Sequence, residues 1–60
     1  MIRLIVIPSI HDEGLNRSHY PFDVSIAPRP GEWVNIKNHK REVKSVTHVL
    51  EEDKVHVHLC

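Results

Sequence analysis

The sequence predicts an all-β domain, a small barrel of about five antiparallel strands with one long N-terminal loop. Three observations predict it. Val, Ile and Thr are frequent while alanine occurs once, and no segment sustains a 3.6-residue period. From Glu32 to Leu59 apolar and polar residues alternate in a way that suits three consecutive antiparallel strands. Within that run Val43 and Val46 are three apart and cannot share one face of a regular strand. An extra residue at Lys44-Ser45 resolves the conflict as a β-bulge and bends the strand, which is how a small barrel turns its corner.

Taken in order, Ile2 to Ile7 forms the first strand. It is apolar on both faces, with Ile2, Leu4 and Val6 on one and Ile5 and Ile7 on the other. One face belongs to the core, and the second lies under the long loop or against another copy of the chain. Pro8 ends the strand. Pro8 to Pro21 is the loop, with turn chemistry at Asp12-Glu13-Gly14 and Asn16-Arg17-Ser18. Leu15, Tyr20 and Phe22 anchor it, and a single helical turn fits His11 to Leu15. Phe22 to Ile26 reads as a short strand with Phe22, Val24 and Ile26 inward. Ala27-Pro28-Arg29-Pro30-Gly31 is a stiff connector in which Gly31 permits the turn into Glu32.

The next strand and its neighbour form a hairpin. A loop centred on His39-Lys40 places Lys37 opposite Glu42 and Ile36 opposite Val43, so Val34, Ile36 and Val43 point inward and Trp33, Asn35 and Lys37 outward. The last hairpin turns at Glu52-Asp53 or over Glu51 to Lys54. Either choice sets Leu50 opposite Val55, His48 opposite Val57 and Val46 opposite Leu59. Those six residues share the core face. Ser45, Thr47, Val49, His56, His58 and Cys60 share the other.

Sixty residues bound the chain to a single domain over residues 1–60 with a small core, burying roughly 60% of its unfolded surface. Lys plus Arg equals Asp plus Glu at eight each, which weighs against a phosphate-driven nucleic-acid binder. One cysteine excludes an internal disulfide framework, and the short apolar run at the start has no leader or membrane-span character, so a cytoplasmic protein is expected.

Three segments carry a resemblance: Pro30-Gly31-Glu32-x-Val34-x-Ile36, then Val43-x-x-Val46-x-His48, then Val55-x-Val57-x-Leu59. Together they are similar to a pattern in small SH3-like barrel proteins of bacteria, phages and mobile elements, where a Pro/Gly-Glu turn opens a strand and a bent strand carries Val-x-x-Val-x-His. The resemblance covers the C-terminal half and implies an SH3-like barrel. Being made of turn and core residues, it says little about activity.

Chemistry is sparse. His56-x-His58-x-Cys60 lies on the outer face, and two His at i and i+2 can share a zinc ion. Cys60 lies about 13 Å along the strand from His56, too far to join them on one ion. A further ligand would have to come from a second copy of the chain, as in a metal-bridged homodimer, or from His39 or His19, and the ordinary alternative is a pair of solvent-facing strand residues. His48, on the inner face, reads as a core histidine. No Ser or Cys stands beside a recognisable base and carboxylate, and Gly14 and Gly31, the only glycines, form no phosphate-cradling loop. The chain is read as a non-enzyme without a cofactor.

Trp33, the single tryptophan, points away from the core beside Asn35 and Lys37. Exposed Trp among polar neighbours suits a binding hot spot, and the alternative is that Tyr20 or the long loop covers it. The leading expectation is a protein-binding module or small inhibitor whose partner meets Trp33, Asn35, Lys37, Tyr20 and Arg17. A compact neutral chain of this size also suits a phage or mobile-element product that blocks a host protein, in the style of anti-CRISPR proteins. The rival reading is nucleic-acid binding through Lys37, Lys40, Arg41 and Lys44 with Trp33 as a stacking platform. A homodimer through residues 2–7 is a separate expectation.

Overall fold

The computed structural model describes residues 1–15 and 20–60. Among these residues lie five strands, β1 (Ile2–Ile7), β2 (Tyr20–Val24), β3 (Trp33–Ile36), β4 (His39–Val49) and β5 (Lys54–Leu59), with one 3-10 turn at Leu50–Glu52. They form a single sheet in the order β2-β1-β5-β4-β3, curled into a half-barrel.

That order is the chain order of a five-strand meander, closed on itself and opened between β2 and β3. Successive strands in a meander alternate direction, so with an odd number of strands the first and last run the same way. β1 therefore pairs with β5 in parallel, Leu4 beside Val55 and Val6 beside Val57, while the β1–β2, β3–β4 and β4–β5 pairs are antiparallel. The expectation of an antiparallel sheet throughout is corrected on this point. Strand count alone decides it.

The core sits on the concave face. Leu4 and Val6 from β1, Ile36 from β3, Val43 from β4, and Val55, Val57 and Leu59 from β5 are buried, with Tyr20 and Leu15 closing one end. The bulge falls where the parity of Val43 and Val46 requires it: the β4–β5 register shifts between Val43 and Ser45.

Both hairpin registers differ from expectation. β3 and β4 turn at Lys37-Asn38, both at positive φ (50° and 69°), which sets Ile36 opposite His39 and Trp33 opposite Glu42. Two consecutive left-handed residues give the turn whose twist matches a two-residue hairpin, and Asn38 is the residue that tolerates it. The pairing of Lys37 with Glu42 therefore does not form. In the last hairpin Asp53 takes the left-handed conformation after the 3-10 turn, so Val49 meets Lys54 and His48 meets Val55. The slip is an even number of residues, so the faces survive. Leu50 and His48, however, run past the core and are exposed, lining an open hollow of about 390 Å³ with Met1, Ile2 and Val55.

β2 begins at Tyr20 and ends at Val24, two residues earlier than Phe22 to Ile26, because it pairs along Ile2 to Val6. Ile26 lies beyond it and is exposed. The Arg29–Glu32 turn closes as expected: Glu32 N donates to Arg29 O at 3.1 Å, with Gly31 at φ 90°, a conformation that favours glycine. No helical turn forms at His11 to Leu15. The Asp12 carboxylate instead accepts hydrogen bonds from the N–H groups of Gly14 and Leu15, both at 3.0 Å.

No helix among the described residues is long and apolar enough to cross a membrane.

Candidate functional site

The β3–β4 hairpin places the side chains that sequence reasoning singled out. Trp33 and Asn35 lie on the convex face, opposite Glu42 and Lys40 respectively, and Trp33 is 60% exposed. Tyr20 does not join them, since strand parity puts it on the concave side, where it is buried. Lys37 links the two edges at the turn, its Nζ 4.9 Å from the centroid of the Tyr20 ring, a cation–π distance. Arg17 and His19, with the turn at Asn16 to Ser18, lie outside the described residues.

Backbone geometry adds a second feature. Val43 N donates to Glu32 O at 2.8 Å, which sets the alternation of the β3–β4 ladder: Val34–Arg41 and Ile36–His39 are the hydrogen-bonded pairs. Trp33 and Asn35 therefore turn their backbone N–H and C=O groups away from β4, toward the gap facing β2. Across that gap β2 presents Pro21, which has no N–H, a residue that sheets admit at an edge. Among the described residues no ladder joins the two strands.

The gap is not filled by side chains either. A cleft of about 160 Å³ lies between the edges, with Phe22 on one wall, Val34, Asn35 and Ile36 on the other, and Leu4 and Val6 as its floor. Phe22 points inward as its parity demands, yet is 42% exposed, because the neighbouring strand that would cover it is not paired there. Sequence reasoning missed the cleft. Its only signal was Pro21 inside a strand, which marks an edge.

The basic set is divided. Arg41 faces the loop and holds Asp12, its Nε donating to Asp12 Oδ2 at 2.6 Å and its Nη2 to Oδ1 at 3.1 Å. This two-pronged ion pair is largely buried on the Asp12 side. The Arg41 hydrogen bonds, aided by the Leu15 N–H, hold the Asp12 carboxyl well below the usual carboxylate range, and the same bond raises the guanidinium. The packing is close, since a Cβ at Gly14 would come within 2.9 Å of the His39 ring. Arg41 thus straps the loop to β4 and leaves the expected nucleic-acid surface to Lys37, Lys40 and Lys44, all exposed.

His56 and His58 point to the convex face, half-buried, beside Thr47 and Ser45 of β4 and Ile5 and Ile7 of β1. Among the described residues no three His, Cys, Asp or Glu side chains come together as a metal site. Among the described residues, the two histidines are what this face offers an ion. Cys60 is exposed past the end of β5, its N–H bonded to Glu42 O at 3.0 Å. At the opposite end of the sheet two ion pairs, Arg3–Asp23 at 3.2 Å and Lys54–Glu52 at 2.6 Å, mark a solvated rim, and the Lys54 hydrogen bond lowers the Glu52 carboxyl.

No protein-family model, curated protein or solved structure matches the chain.

Proposed function

We propose that this chain is a non-enzymatic protein-binding module, an SH3-like half-barrel that meets its partner through the β3–β4 hairpin. The observation that carries the reading is Trp33, a large aromatic left 60% exposed on a convex face with Asn35 and Lys40 beside it. Aromatic anchors surrounded by polar residues concentrate binding energy at interfaces. A single exposed cysteine suits a reducing cytoplasmic setting, and the size and neutral charge suit a phage or mobile-element inhibitor of a host protein.

The nucleic-acid reading is weaker. Arg41 is committed to Asp12, and Glu42 stands directly opposite Trp33, so the hairpin offers a stacking platform beside a carboxylate. The metal-bridged dimer has two donors per copy and is weaker still.

The test is capture from source-cell lysate with wild type and Trp33→Ala, with and without nuclease. A protein held by wild type, lost with Trp33→Ala and indifferent to nuclease supports the module. Nucleic acid held with a steep salt dependence overturns it.

A further inference from the structure

The open seam between β2 and β3 leaves part of the core reachable from outside. Leu4 and Val6 are buried, yet they form the floor of the seam cleft. Five of the six lining residues are apolar, with Asn35 the exception. Its volume of about 160 Å³ compares with the roughly 150 Å³ apolar cavity that stays dry and admits benzene. One leucine or phenylalanine side chain is that size.

The walls say how the rest of an occupant would lie. β3 turns the backbone groups of Trp33 and Asn35 toward the gap, whereas Pro21 removes a donor from the β2 side. An extended segment added to β3 alternates its side chains, one set over the cleft and the other level with Asn35 and Trp33. At the Tyr20 end of the seam stands Lys37, and one strand back, on the convex face opposite Asn35, stands Lys40; neither has a carboxylate within ion-pair distance among the described residues. Glu32, the nearest acid in β3's approach, accepts a hydrogen bond from Arg29 N at 2.7 Å and is turned into the connector.

We infer that the seam is the specificity pocket of the binding module: it takes an extended acidic segment of another protein, drops one large apolar side chain onto Leu4 and Val6, and sets a carboxylate beside Lys37 and Lys40. The inference rests on the protein-binding reading and names the chemistry of the partner. Binding of this kind uses the core as its receptor. The added side chain completes a face that Phe22, Val34 and Ile36 leave unfinished.

The experiment pans a random-peptide display library on the full chain, then measures the selected peptides on three proteins: wild type, Val34→Trp, which fills the cleft, and the double variant Lys37→Glu, Lys40→Glu. The expected result is enrichment of peptides with one Leu, Phe or Met flanked by Asp or Glu. Their affinity should fall at least tenfold on Val34→Trp, about 1.4 kcal/mol or more, and repanning on the double variant should select basic flanks. The charge swap is at exposed positions and does not depend on Val34→Trp folding. Selected peptides that bind Val34→Trp as tightly as wild type, with thermal melting confirming its fold, would overturn the cleft. Unchanged flank charge on the double variant would overturn the role of the lysines. If a Trp33-dependent protein is captured from lysate while the library yields nothing, the seam inference fails and the module stands. If the lysate yields no partner but acidic peptides fill the cleft, the seam stands and the Trp33 face does not.

Discussion

β5 and β3 carry the same kind of sequence, a short run of alternating apolar residues, and meet opposite fates. β5 has a ladder on each side, parallel to β1 and antiparallel to β4, and Val57 at its centre is 0% exposed. β3 has one ladder, and its inward Val34 stays half-buried while Phe22, on the facing strand, is 42% exposed. Alternation says which way a side chain points. It does not say how far the side chain is buried: Ile36, also inward on β3, is buried with the same single ladder, while Val34 beside the open seam is not. The centre of the sheet therefore supplies stability and the seam supplies surface, and substitutions in the two regions should separate accordingly.

The largest effect belongs at the centre. Val57→Asp places an unpaired carboxylate where no solvent reaches, a change that a domain with roughly 3–9 kcal/mol of stability cannot absorb. Loss of the cooperative thermal transition and of the strand circular-dichroism signal is the expected outcome. A folded Val57→Asp protein would show that β5 is not the keystone. Next is Leu15→Ala. Leu15 is 1% exposed although it lies in the loop, and its truncation should cost about 3 kcal/mol in chemical denaturation. A cost under about 1 kcal/mol would mean that the loop merely rests on the sheet.

That ranking also shows what could be read from the sequence. The first strand, the bulge at Val43/Ser45 and the facing of β3 to β5 were legible, because each follows from side-chain parity, which survives an even slip in register; the core position expected of His48 and Leu50 was not, since the slip carries both past the core. Leu15 and Tyr20 were legible as loop anchors and both are buried, whereas Phe22, expected with them, is 42% exposed. The turn positions were not, because Lys37 and Asp53 adopt positive φ without being glycine, and nothing local forces that choice. The parallel β1–β5 pair was a consequence of strand number and could have been drawn from five strands in a meander. Trp33 was placed correctly by parity, but its grouping with Tyr20 was not, since the two lie on opposite faces. Of the cleft the sequence carries only the edge mark of Pro21; the rest depends on a ladder that the topology omits.

The strap between the loop and β4 gives the intermediate effect and a pH signature. Asp12→Asn keeps Oδ1 for the Gly14 and Leu15 N–H groups and puts an NH2 donor where Oδ2 accepts from Arg41 Nε, so it removes that hydrogen bond together with the charge facing Arg41. Because folding depresses the Asp12 carboxyl, its contribution is complete above the unfolded value near pH 3.9 and is lost as pH falls through the folded value. Wild type should therefore melt above Asp12→Asn at pH 7. The gap should begin to narrow near pH 4 and close only well into acid. A gap independent of pH would assign the strap to hydrogen bonding alone. If Asp12→Asn matches wild type at pH 7 as well, the ion pair adds nothing and the loop is held by Leu15.

The smallest effect on stability should come from Trp33→Ala, and that smallness makes it the sharpest probe of the contrast. Trp33 covers no buried residue on the concave face, so its removal should change unfolding free energy by no more than about 0.5 kcal/mol, the ordinary scale for an exposed site. If Trp33 is the anchor of an interface, the same substitution should weaken partner binding by about 2 kcal/mol or more, roughly thirtyfold in dissociation constant. Denaturant titration and binding measured on one preparation read both quantities. A stability loss as large as that of Leu15→Ala would make Trp33 part of the structural half of the molecule, and exposure on the convex face would then be no guide to function. Unchanged stability together with lost binding would place the division between the two regions at the β3–β4 hairpin, where the ladder of β4 to β5 ends and β3 has no second ladder.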